Sequence, residues 1–298
     1  MDDIRFPHLG IVLKNVPDGI SIFGFEIKFY GIIIAIGFLL AYVIVAKEAK
    51  RTGQDQEDYL DLILWLIIPA IVGARLYYVL FQWKDYFGKG LGFKDTLIGV
   101  INLRNGGLAI YGGLIFGFIT AFIFCKKRKL KFTLIADTAI MGILVGQILG
   151  RWGNFFNREA FGDYTDSLFA MCIPADRVGS GVVTETIAAN LKTIEGMQWI
   201  SVHPTFLYES LWNIMILVLI IIYRKHKKFD GELVLLYAWG YGLGRVWIEG
   251  LRTDSLYFFG TGLRTSQLLA ALCVLIASIA IVVIRLKVVG RDAETKKE

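Results

Sequence analysis

The chain has 298 residues, of which 55% are hydrophobic and only 19% are charged, and its mean hydropathy is +0.57. Soluble proteins carry about a quarter charged residues, so this chain has too few to cover a soluble surface. The composition excludes a disordered protein, and the low cysteine content excludes a disulfide-stapled scaffold. What remains is a polytopic membrane protein. Its formal net charge of +6 alone does not distinguish binding to nucleic acid, binding to anionic lipid and an effect of topology.

Seven apolar stretches are long enough, or nearly so, to cross a bilayer as helices, which takes about 20 residues each. In chain order they cover residues 29–46, 60–81, 107–125, 132–150, 206–223, 232–248 and 266–284. The fourth and sixth are the least apolar, because they contain Asp137, Glu232 and Arg245. We therefore predict an all-α polytopic membrane protein with about seven transmembrane helices, and we expect no cleavable signal peptide.

Lysines and arginines are concentrated in every second loop. Residues 47–59, 126–131, 224–231 and 285–298 hold 17 of the 32 lysines and arginines in 41 residues. Such loops are usually cytoplasmic, which places the N-terminus outside and the C-terminus in the cytoplasm. The predicted parts are an extracytoplasmic segment 1–28, a seven-helix catalytic domain 29–284 with a small extracytoplasmic subdomain at 151–205, and a disordered cytoplasmic tail 285–298. The basic clusters then anchor helix ends at anionic lipid, and no nucleic-acid partner is predicted.

Polar side chains recur at the expected outer ends of these spans. They are Tyr30, Arg75, Tyr111, Arg151, His203, Glu209, Arg245 and Glu249. A charge inside a bilayer costs about 2.5–3.5 kcal/mol on insertion scales, so several of them at one depth indicate a functional site. The alternative is that each side chain reaches the interface separately and makes an unrelated ion pair.

The end of the sixth span has a helical charge pattern. Arg245, Glu249 and Arg252 stand at i, i+4 and i+7, which predicts one helix face with Glu249 held between two arginines. Two arginines side by side suit a phosphate, because planar guanidinium groups donate bidentate hydrogen bonds to it. A purely structural Arg–Glu–Arg network that closes the helix end is the alternative.

Glycines form two further patterns. In the segment 106–113, GGLAIYGG, paired glycines permit close backbone approach and N–H groups that face an anion, which makes Gly112 and Gly113 candidate ligands. A second set, Gly142, Gly146 and Gly150, is spaced at i, i+4 and i+8 and predicts close packing against another helix.

The segment 150–162, GRWGNFFNREAFG, resembles the signature GRxGNFxNxExxG of the prolipoprotein diacylglyceryl transferase family at every fixed position. Further segments are similar to family segments in the expected order: FYG at 29–31, GARLYYVLF at 73–81, HPTFLYE at 203–209 and GRVWIEGLR at 244–252. Seven spans with an outer N-terminus are also what this resemblance implies. It covers most of the chain, from Tyr30 to Arg252.

The resemblance implies transfer of the diacylglyceryl group of phosphatidylglycerol to the lipobox cysteine of a prolipoprotein signal peptide, with release of glycerol 1-phosphate. It also implies a multi-pass protein of the bacterial cytoplasmic membrane, in contact with membrane lipids, with its site near the outer leaflet. Two sets of residues are predicted. The catalytic set is Arg151, Arg245, Glu249, Tyr111 and Tyr30. The lipid-binding set is Arg151, Asn154, Asn157, Glu159, Gly112, Gly113, Arg75, Arg252 and His203.

The proton acceptor stays open. Some family members have HGG where this chain has Tyr111 and two glycines, so a histidine base is absent at that position. Tyr111 is the first candidate and Tyr30 the second, and either phenol could instead only donate a hydrogen bond. A thiol with a pKa near 8.5 is already partly thiolate near neutral pH, so a strong base is not required. We expect His203 to be a structural hydrogen-bonding residue.

No metal ion and no cofactor are predicted, because the histidines and cysteines lack metal-ligand spacing. A transporter or flippase of an anionic amphiphile is the alternative function, since the same arginines could bind its cargo. The sequence has no evident internal repeats, which favours the transferase over a transporter. A receptor is suggested only by the number of spans.

Overall fold

The computed structural model describes residues 2–88, 90, 92–103, 106–255, 257 and 262–295. The helices in this part of the chain are α1 (Phe29–Arg51), α2 (Glu57–Phe81), α3 (Trp83–Phe87), α4 (Phe93–Ile101), α5 (Ile110–Arg128), α6 (Phe132–Asn157), α7 (Glu185–Ala189), α8 (Thr205–Tyr223), α9 (Glu232–Leu251) and α10 (Thr265–Thr295). Six of them are long and apolar enough to cross a membrane: α1, α2, α5, α6, α8 and the part of α10 up to Gly290.

The predicted mostly helical membrane fold is confirmed, with six to seven spanning helices. The sixth predicted span corresponds to α9, a 20-residue helix whose sequence includes several glycines and charged residues. Two helix ends differ from the prediction. Helix α6 continues through the signature segment to Asn157, and α10 continues to Thr295, so much of the tail that was expected to be disordered is helical.

A small antiparallel sheet completes the fold, so the prediction of an all-α protein was incomplete. The strands are β1 (Ile4–Phe6), β2 (Ile11–Leu13), β3 (Gly19–Ile22), β4 (Phe25–Lys28), β5 (Met171–Pro174), β6 (Lys192–Ile194) and β7 (Met197–Val202). Five strands pair in the order β2-β1-β5-β7-β6, and β3 pairs only with β4. Arg5 lies opposite Cys172, so the N-terminal segment and the predicted subdomain 151–205 share one sheet.

The chain divides into two compact units. One contains residues 1–44 and 139–298, and the other contains residues 45–138. In the first unit, buried side chains of α6, α8 and α9 form a hydrophobic cluster that includes Met141, Leu144, Ile216 and Leu233. A second cluster lies under the five-stranded sheet and extends to Phe155 and Phe206 at the ends of α6 and α8.

Close helix packing in the first unit depends on glycines of α9. A Cβ added at Gly242 would lie 3.0 Å from the carbonyl oxygen of Ala270 in α10, and one at Gly244 would lie 2.2 Å from Nε1 of Trp212 in α8. The predicted packing along α6 was wrong at two positions, because a Cβ at Gly146 or Gly150 would meet no atom within 4 Å. Small residues therefore bring helices together on α9 rather than at these positions of α6.

Candidate active site

A buried carboxylate joins two of the predicted arginines in the first unit. Glu209, in the first turns of α8, is 2% exposed. Its two carboxylate oxygens lie 3.2 Å from Nε of Arg151 in α6 and 3.1 Å from Nη1 of Arg245 in α9. The Tyr241 hydroxyl, one turn before Arg245, lies 3.5 Å from the same carboxylate. Three helices thus place two guanidinium groups around one negative charge.

Glu249 holds Arg245 from the other side. Its Oε2 atom lies 2.5 Å from Nη2 of Arg245, as the i, i+4 spacing predicted, in a close ion pair rather than an aligned hydrogen bond. The Ser255 hydroxyl donates to Oε1 of Glu249 at 2.9 Å, and Arg264 donates to its backbone oxygen. These contacts fix a carboxylate that is 2% exposed, so Arg245 is held in place by two buried acids.

The predicted stacking of Arg252 on Glu249 was wrong. Helix α9 ends at Leu251, and Arg252 has extended backbone dihedral angles, so its side chain leaves the helical face. Its guanidinium instead forms a two-point ion pair with Asp254, with N–O distances of 2.9 and 2.7 Å. Burial raises the pKa of Asp254, but hydrogen bonding and charge attraction from Arg252 outweigh it, so the net pKa is lowered. Arg252 is therefore paired with Asp254 and not with Glu249.

The signature asparagines continue the network from Arg151. Because α6 remains helical to Asn157, residues 151, 154 and 157 lie on the same side of its last turns. Nη1 of Arg151 donates to Oδ1 of Asn154 at 3.1 Å. The amide groups of Asn154 and Asn157 donate to one oxygen of Glu159, at 2.9 and 3.2 Å. Glu159 is therefore linked to Arg151 through Asn154.

Two glycines of the signature make room for neighbouring groups. A Cβ at Gly153 would lie 2.4 Å from the ring of Tyr30, so this predicted site tyrosine, in the first turn of α1, packs closely against α6. A Cβ at Gly162 would lie 2.7 Å from Cβ of His203 and 2.9 Å from the backbone oxygen of Leu251. The fixed glycines thus bring α1, the segment before α8 and the end of α9 up to the network.

His203 has a structural environment. Its backbone oxygen accepts from the Gly162 N–H at 2.9 Å, and its Nδ1 lies 3.4 Å from the Tyr208 hydroxyl. Burial lowers the pKa of His203 from its ordinary value, which favours the neutral ring near pH 7. His203 thus contacts the signature segment and α8, and its predicted structural role and lipid contact both stay predictions.

Arg158 is a residue that the sequence did not single out, since it occupies a variable position of the signature. It has a positive φ of 54°, directly after the end of α6. Its Nη2 donates to the backbone oxygens of Asp2 and Val16, at 2.7 and 2.6 Å. These two residues bracket the β1–β2 hairpin, so Arg158 fastens the N-terminal segment to the signature.

Arg75, in the second unit, has a different environment from Arg151. A guanidinium has five N–H groups, and those of Arg75 donate to five backbone oxygens at 2.7 to 2.9 Å. The acceptors belong to Gly99, Val100, Asn102, Gly106 and Gly107. The residue is 7% exposed and lies against the rings of Tyr78 and Tyr86. No N–H of Arg75 is left for a ligand, so its contacts give no support to the predicted lipid contact of Arg75, which stays a prediction.

The glycines around Tyr111 also differ from the prediction. Gly112 and Gly113 lie inside the first turn of α5, where their N–H groups donate to the Ala109 oxygen and are not free for an anion. A Cβ at Gly112 would lie 2.2 Å from the Gly73 oxygen, so this glycine allows α5 to contact α2. The Tyr111 ring is half-buried, with its centroid 6.3 Å from that of Tyr77.

Comparison with known proteins decides the family. The family model for prolipoprotein diacylglyceryl transferase matches residues 17–284. The chain belongs to the prolipoprotein diacylglyceryl transferase family. It is a multi-pass membrane protein and a transferase.

Full-length relatives agree with the family model. A Finegoldia magna protein named phosphatidylglycerol–prolipoprotein diacylglyceryl transferase is 42% identical over 260 residues, which cover 87% of this chain and 91% of the relative. A Clostridium perfringens protein named phosphatidylglycerol–prolipoprotein diacylglyceryl transferase 1 is 43% identical, with 90% and 94% covered. An Enterococcus faecalis relative with the first of these names is 40% identical, with 93% and 94% covered.

Within this diacylglyceryl transferase, the polar network adds one central residue to the predicted site. Glu209 stood among the polar residues at the span ends but not among the predicted catalytic or binding residues. The feature that could have identified Glu209 is a carboxylate at the end of HPTFLYE, where an apolar helix begins. The network brings together Arg151, Asn154, Asn157, Glu159, Glu209, Arg245 and Glu249.

Proposed function

We propose that Arg151 and Arg245 bind the lipid phosphate while this chain acts as a phosphatidylglycerol–prolipoprotein diacylglyceryl transferase, the activity that its full-length relatives carry in their names. The observation that carries the site is the buried Glu209 carboxylate, which fixes one guanidinium from α6 and one from α9. Guanidinium groups suit phosphate because their planar N–H forks match two of its oxygens.

The reaction makes negative charge where these arginines would lie. The thiolate of the substrate cysteine attacks C3 of the diacylglyceryl group, and a carbon–sulfur bond forms as the C3–oxygen bond breaks. The bonding electrons pass to the phosphate oxygen, so a phosphodiester monoanion becomes a phosphate monoester dianion and the thiol proton is released. Fixed positive charge stabilises this developing charge more than the ground state, which lowers the barrier.

Free donors support Arg151 as the leading phosphate ligand. Among the described residues its Nε contacts Glu209 and its Nη1 contacts Asn154, but Nη2 makes no such contact. The side chain is 23% exposed, so a ligand can reach it. Arg245 is 16% exposed and uses Nη1 and Nη2 for Glu209 and Glu249. Buried acids that hold both guanidinium groups reduce the reorganisation needed when the phosphate arrives.

The exposed end of the network suits the glycerol head group. Asn157 and Glu159 are both exposed, and their amide and carboxylate groups can accept from and donate to hydroxyls. We assign head-group binding to Asn154, Asn157 and Glu159. Arg75 is left out of the lipid site because all five of its N–H groups already donate to backbone oxygens. Arg252 is left out because it lies beyond the end of α9 and pairs with Asp254.

Tyr111 and Tyr30 remain our candidates for the group that accepts the thiol proton. The Tyr30 ring packs against Gly153, which follows Arg151 by two residues in α6. This contact supports a position of Tyr30 beside the polar network. Tyr111 is a candidate only because it stands where some family members have histidine. The distribution of lysine and arginine supports a site near the outer leaflet, with the lipobox cysteine of a prolipoprotein signal peptide as the acceptor.

Direct assay tests this proposal. Purified protein is incubated in phosphatidylglycerol vesicles with a lipobox peptide, and mass spectrometry follows the peptide. We expect a diacylglyceryl addition on cysteine, and none when alanine replaces that cysteine. No addition by a folded protein contradicts the transferase. Movement of labelled phosphatidylglycerol between leaflets without an adduct supports the transporter instead.

A further inference from the structure

The hairpin formed by β3 and β4 is a separate two-stranded ribbon. Ile20 lies opposite Ile27, and Ile22 lies opposite Phe25, with the turn at Phe23 and Gly24. Both turn residues have positive φ values, 52° and 82°. Neither strand pairs with the five-stranded sheet. Isolated two-stranded hairpins are marginally stable in water, so we expect contact with another surface to stabilise the ribbon.

The two faces of the ribbon have opposite character. Side chains alternate along a strand, and directly opposite residues share a face. The first face carries only large apolar side chains, from Ile20, Ile22, Phe25 and Ile27. The second face carries Gly19, Ser21, Glu26 and Lys28. On this second face Nζ of Lys28 lies 2.6 Å from Glu26. The ribbon is thus amphipathic in the same sense as an interfacial helix.

The apolar face is exposed to the surroundings of the protein. Phe25 is 77% exposed, and the three isoleucines of this face are at least 40% exposed. Phe23 at the tip is 99% exposed. Such a continuous apolar surface beside a charged one marks an interaction site rather than a random surface feature.

The position of the ribbon identifies its partner. Strand β4 ends at Lys28 and the membrane helix α1 begins at Phe29, with no residue between them. The Phe29 N–H donates to the Asp18 oxygen at 2.8 Å, which ties the base of the ribbon to the helix start. The Phe29 ring also packs on Phe156, with centroids 5.1 Å apart. The ribbon therefore joins the helix bundle beside the signature segment.

We infer that the β3–β4 ribbon lies in the membrane interface, with its apolar face against the acyl chains of the lipid and its polar face toward water. A helix end that leaves a bilayer lies at the level of the lipid head groups, where amphipathic elements bind with aromatic and aliphatic side chains inserted. The lipid-contacting face is Ile20, Ile22, Phe25 and Ile27, with Phe23 at the tip. This inference rests on membrane insertion of α1 and not on the transferase reaction.

Neighbouring positions provide a matched test, because Ile22 and Ser21 are consecutive but face opposite ways. In a Cys273→Ser background, which removes the exposed native cysteine, Ile22→Cys and Ser21→Cys are each labelled with an environment-sensitive fluorophore. The full chain is reconstituted in vesicles. Fluorescence is then quenched separately by lipids with a nitroxide on the acyl chain and by iodide in the water.

The inference predicts opposite results at the two positions. The label at position 22 is quenched by nitroxide lipid several-fold more than the label at 21, and iodide quenches the label at 21 more. Phe23→Cys gives the result of position 22 and serves if Ile22→Cys folds poorly. Equal iodide quenching at 21 and 22 overturns the inference. Protection of position 22 from both quenchers also overturns it, because a protein surface then covers the face.

Discussion

Arg75 and Arg151 are both arginines near the ends of membrane helices, and their surroundings differ completely. Arg75 gives all five N–H groups to backbone oxygens of one connecting segment. Arg151 gives its bonds to side chains, Glu209 and Asn154, which are themselves part of a larger network. The difference lies in the acceptors. Backbone oxygens hold a segment in place, whereas side-chain acceptors orient a guanidinium that keeps donors for a ligand.

The largest expected effect separates the two arginines by activity. Arg151→Ala removes a positive charge from the proposed phosphate site, and Arg245→Ala does the same from α9. Loss of one such donor reduces turnover by about 100- to 1,000-fold in other enzymes. We expect at least this loss of diacylglyceryl transfer in both variants, measured with a lipobox peptide at saturating phosphatidylglycerol.

The control for this experiment is that the variants are folded. Both variants should elute as folded protein but unfold at a lower temperature, because each loses a cation that pairs with a buried carboxylate, so turnover is compared per folded molecule. Arg177→Ala, at an exposed surface position, should keep full activity. Wild-type turnover in Arg151→Ala would show that this arginine is not needed for the reaction. The proposed functional difference between Arg151 and Arg75 would then be wrong.

Replacement of Arg75 by lysine tests the structural role of this arginine in the same comparison. Lysine cannot donate to five fixed oxygens, so Arg75→Lys leaves some of these carbonyl groups without a donor, at about 1–3 kcal/mol for any that water does not reach. We expect a lower unfolding temperature and faster proteolysis of the segment 99–107, with turnover per folded molecule nearly unchanged. Arg151→Lys should show the reverse, with normal unfolding and low turnover. Equal unfolding temperatures for Arg75→Lys and wild type contradict the proposed clamp.

The glycine pair before α5 gives a smaller and more local test. Gly106 and Gly107 have positive φ values of 77° and 81°, so alanine at either costs about 1–2 kcal/mol of backbone strain. Only at Gly107 would the new Cβ also meet Arg75, 2.3 Å from Nη1, whereas Gly106 has no atom within 4 Å. Thermal unfolding should therefore show a larger loss for Gly107→Ala than for Gly106→Ala. Equal losses would mean that close approach to Arg75 is unimportant.

The smallest expected effect is on the pH dependence of stability. Arginines stay charged near neutral pH, whereas His203 can change its protonation state there. Burial lowers the pKa of His203 in the folded protein, so the unfolded chain takes up a proton first as the pH falls below the ordinary value near 6.5. Stability should decrease from there toward the lowered folded pKa. In His203→Gln the fall in unfolding temperature between pH 7.5 and 5.5 should be shallower than in wild type, and an equal fall would contradict this account.

The helices were largely readable from the sequence, and the sheet was not. Apolar runs such as that of α1 carry a strong length signal in a membrane protein. The strands are only three to six residues long, and the five-stranded sheet depends on the pairing of β1 with the distant strand β5, so the sheet has a weaker sequence signal than the long apolar helices. The end of α6 was also missed, because polar residues of the signature look like a loop although they continue the helix to Asn157.

At the site, short spacing was more reliable than long spacing. The i, i+4 pair of Arg245 and Glu249 was confirmed, because both residues lie well within α9. The i+7 partner failed, because the helix ends one residue before Arg252. The predicted lipid contact of Arg75 lacks support for another reason, since its N–H groups all donate to backbone oxygens. An arginine that binds phosphate and one that binds carbonyl groups look alike in a sequence, and only the acceptors distinguish them.

The pairing of Arg5 with Cys172 has a consequence for the time order of synthesis. The ribosome makes β1 first, but its partner β5 follows only after α6 has been made. Until then β1 can pair with β2 but not with β5, and the Arg158 side chain that will hold Asp2 and Val16 has not yet been synthesised. Completion of the sheet is thus a late assembly event, in which the beginning of the newborn chain waits for its middle.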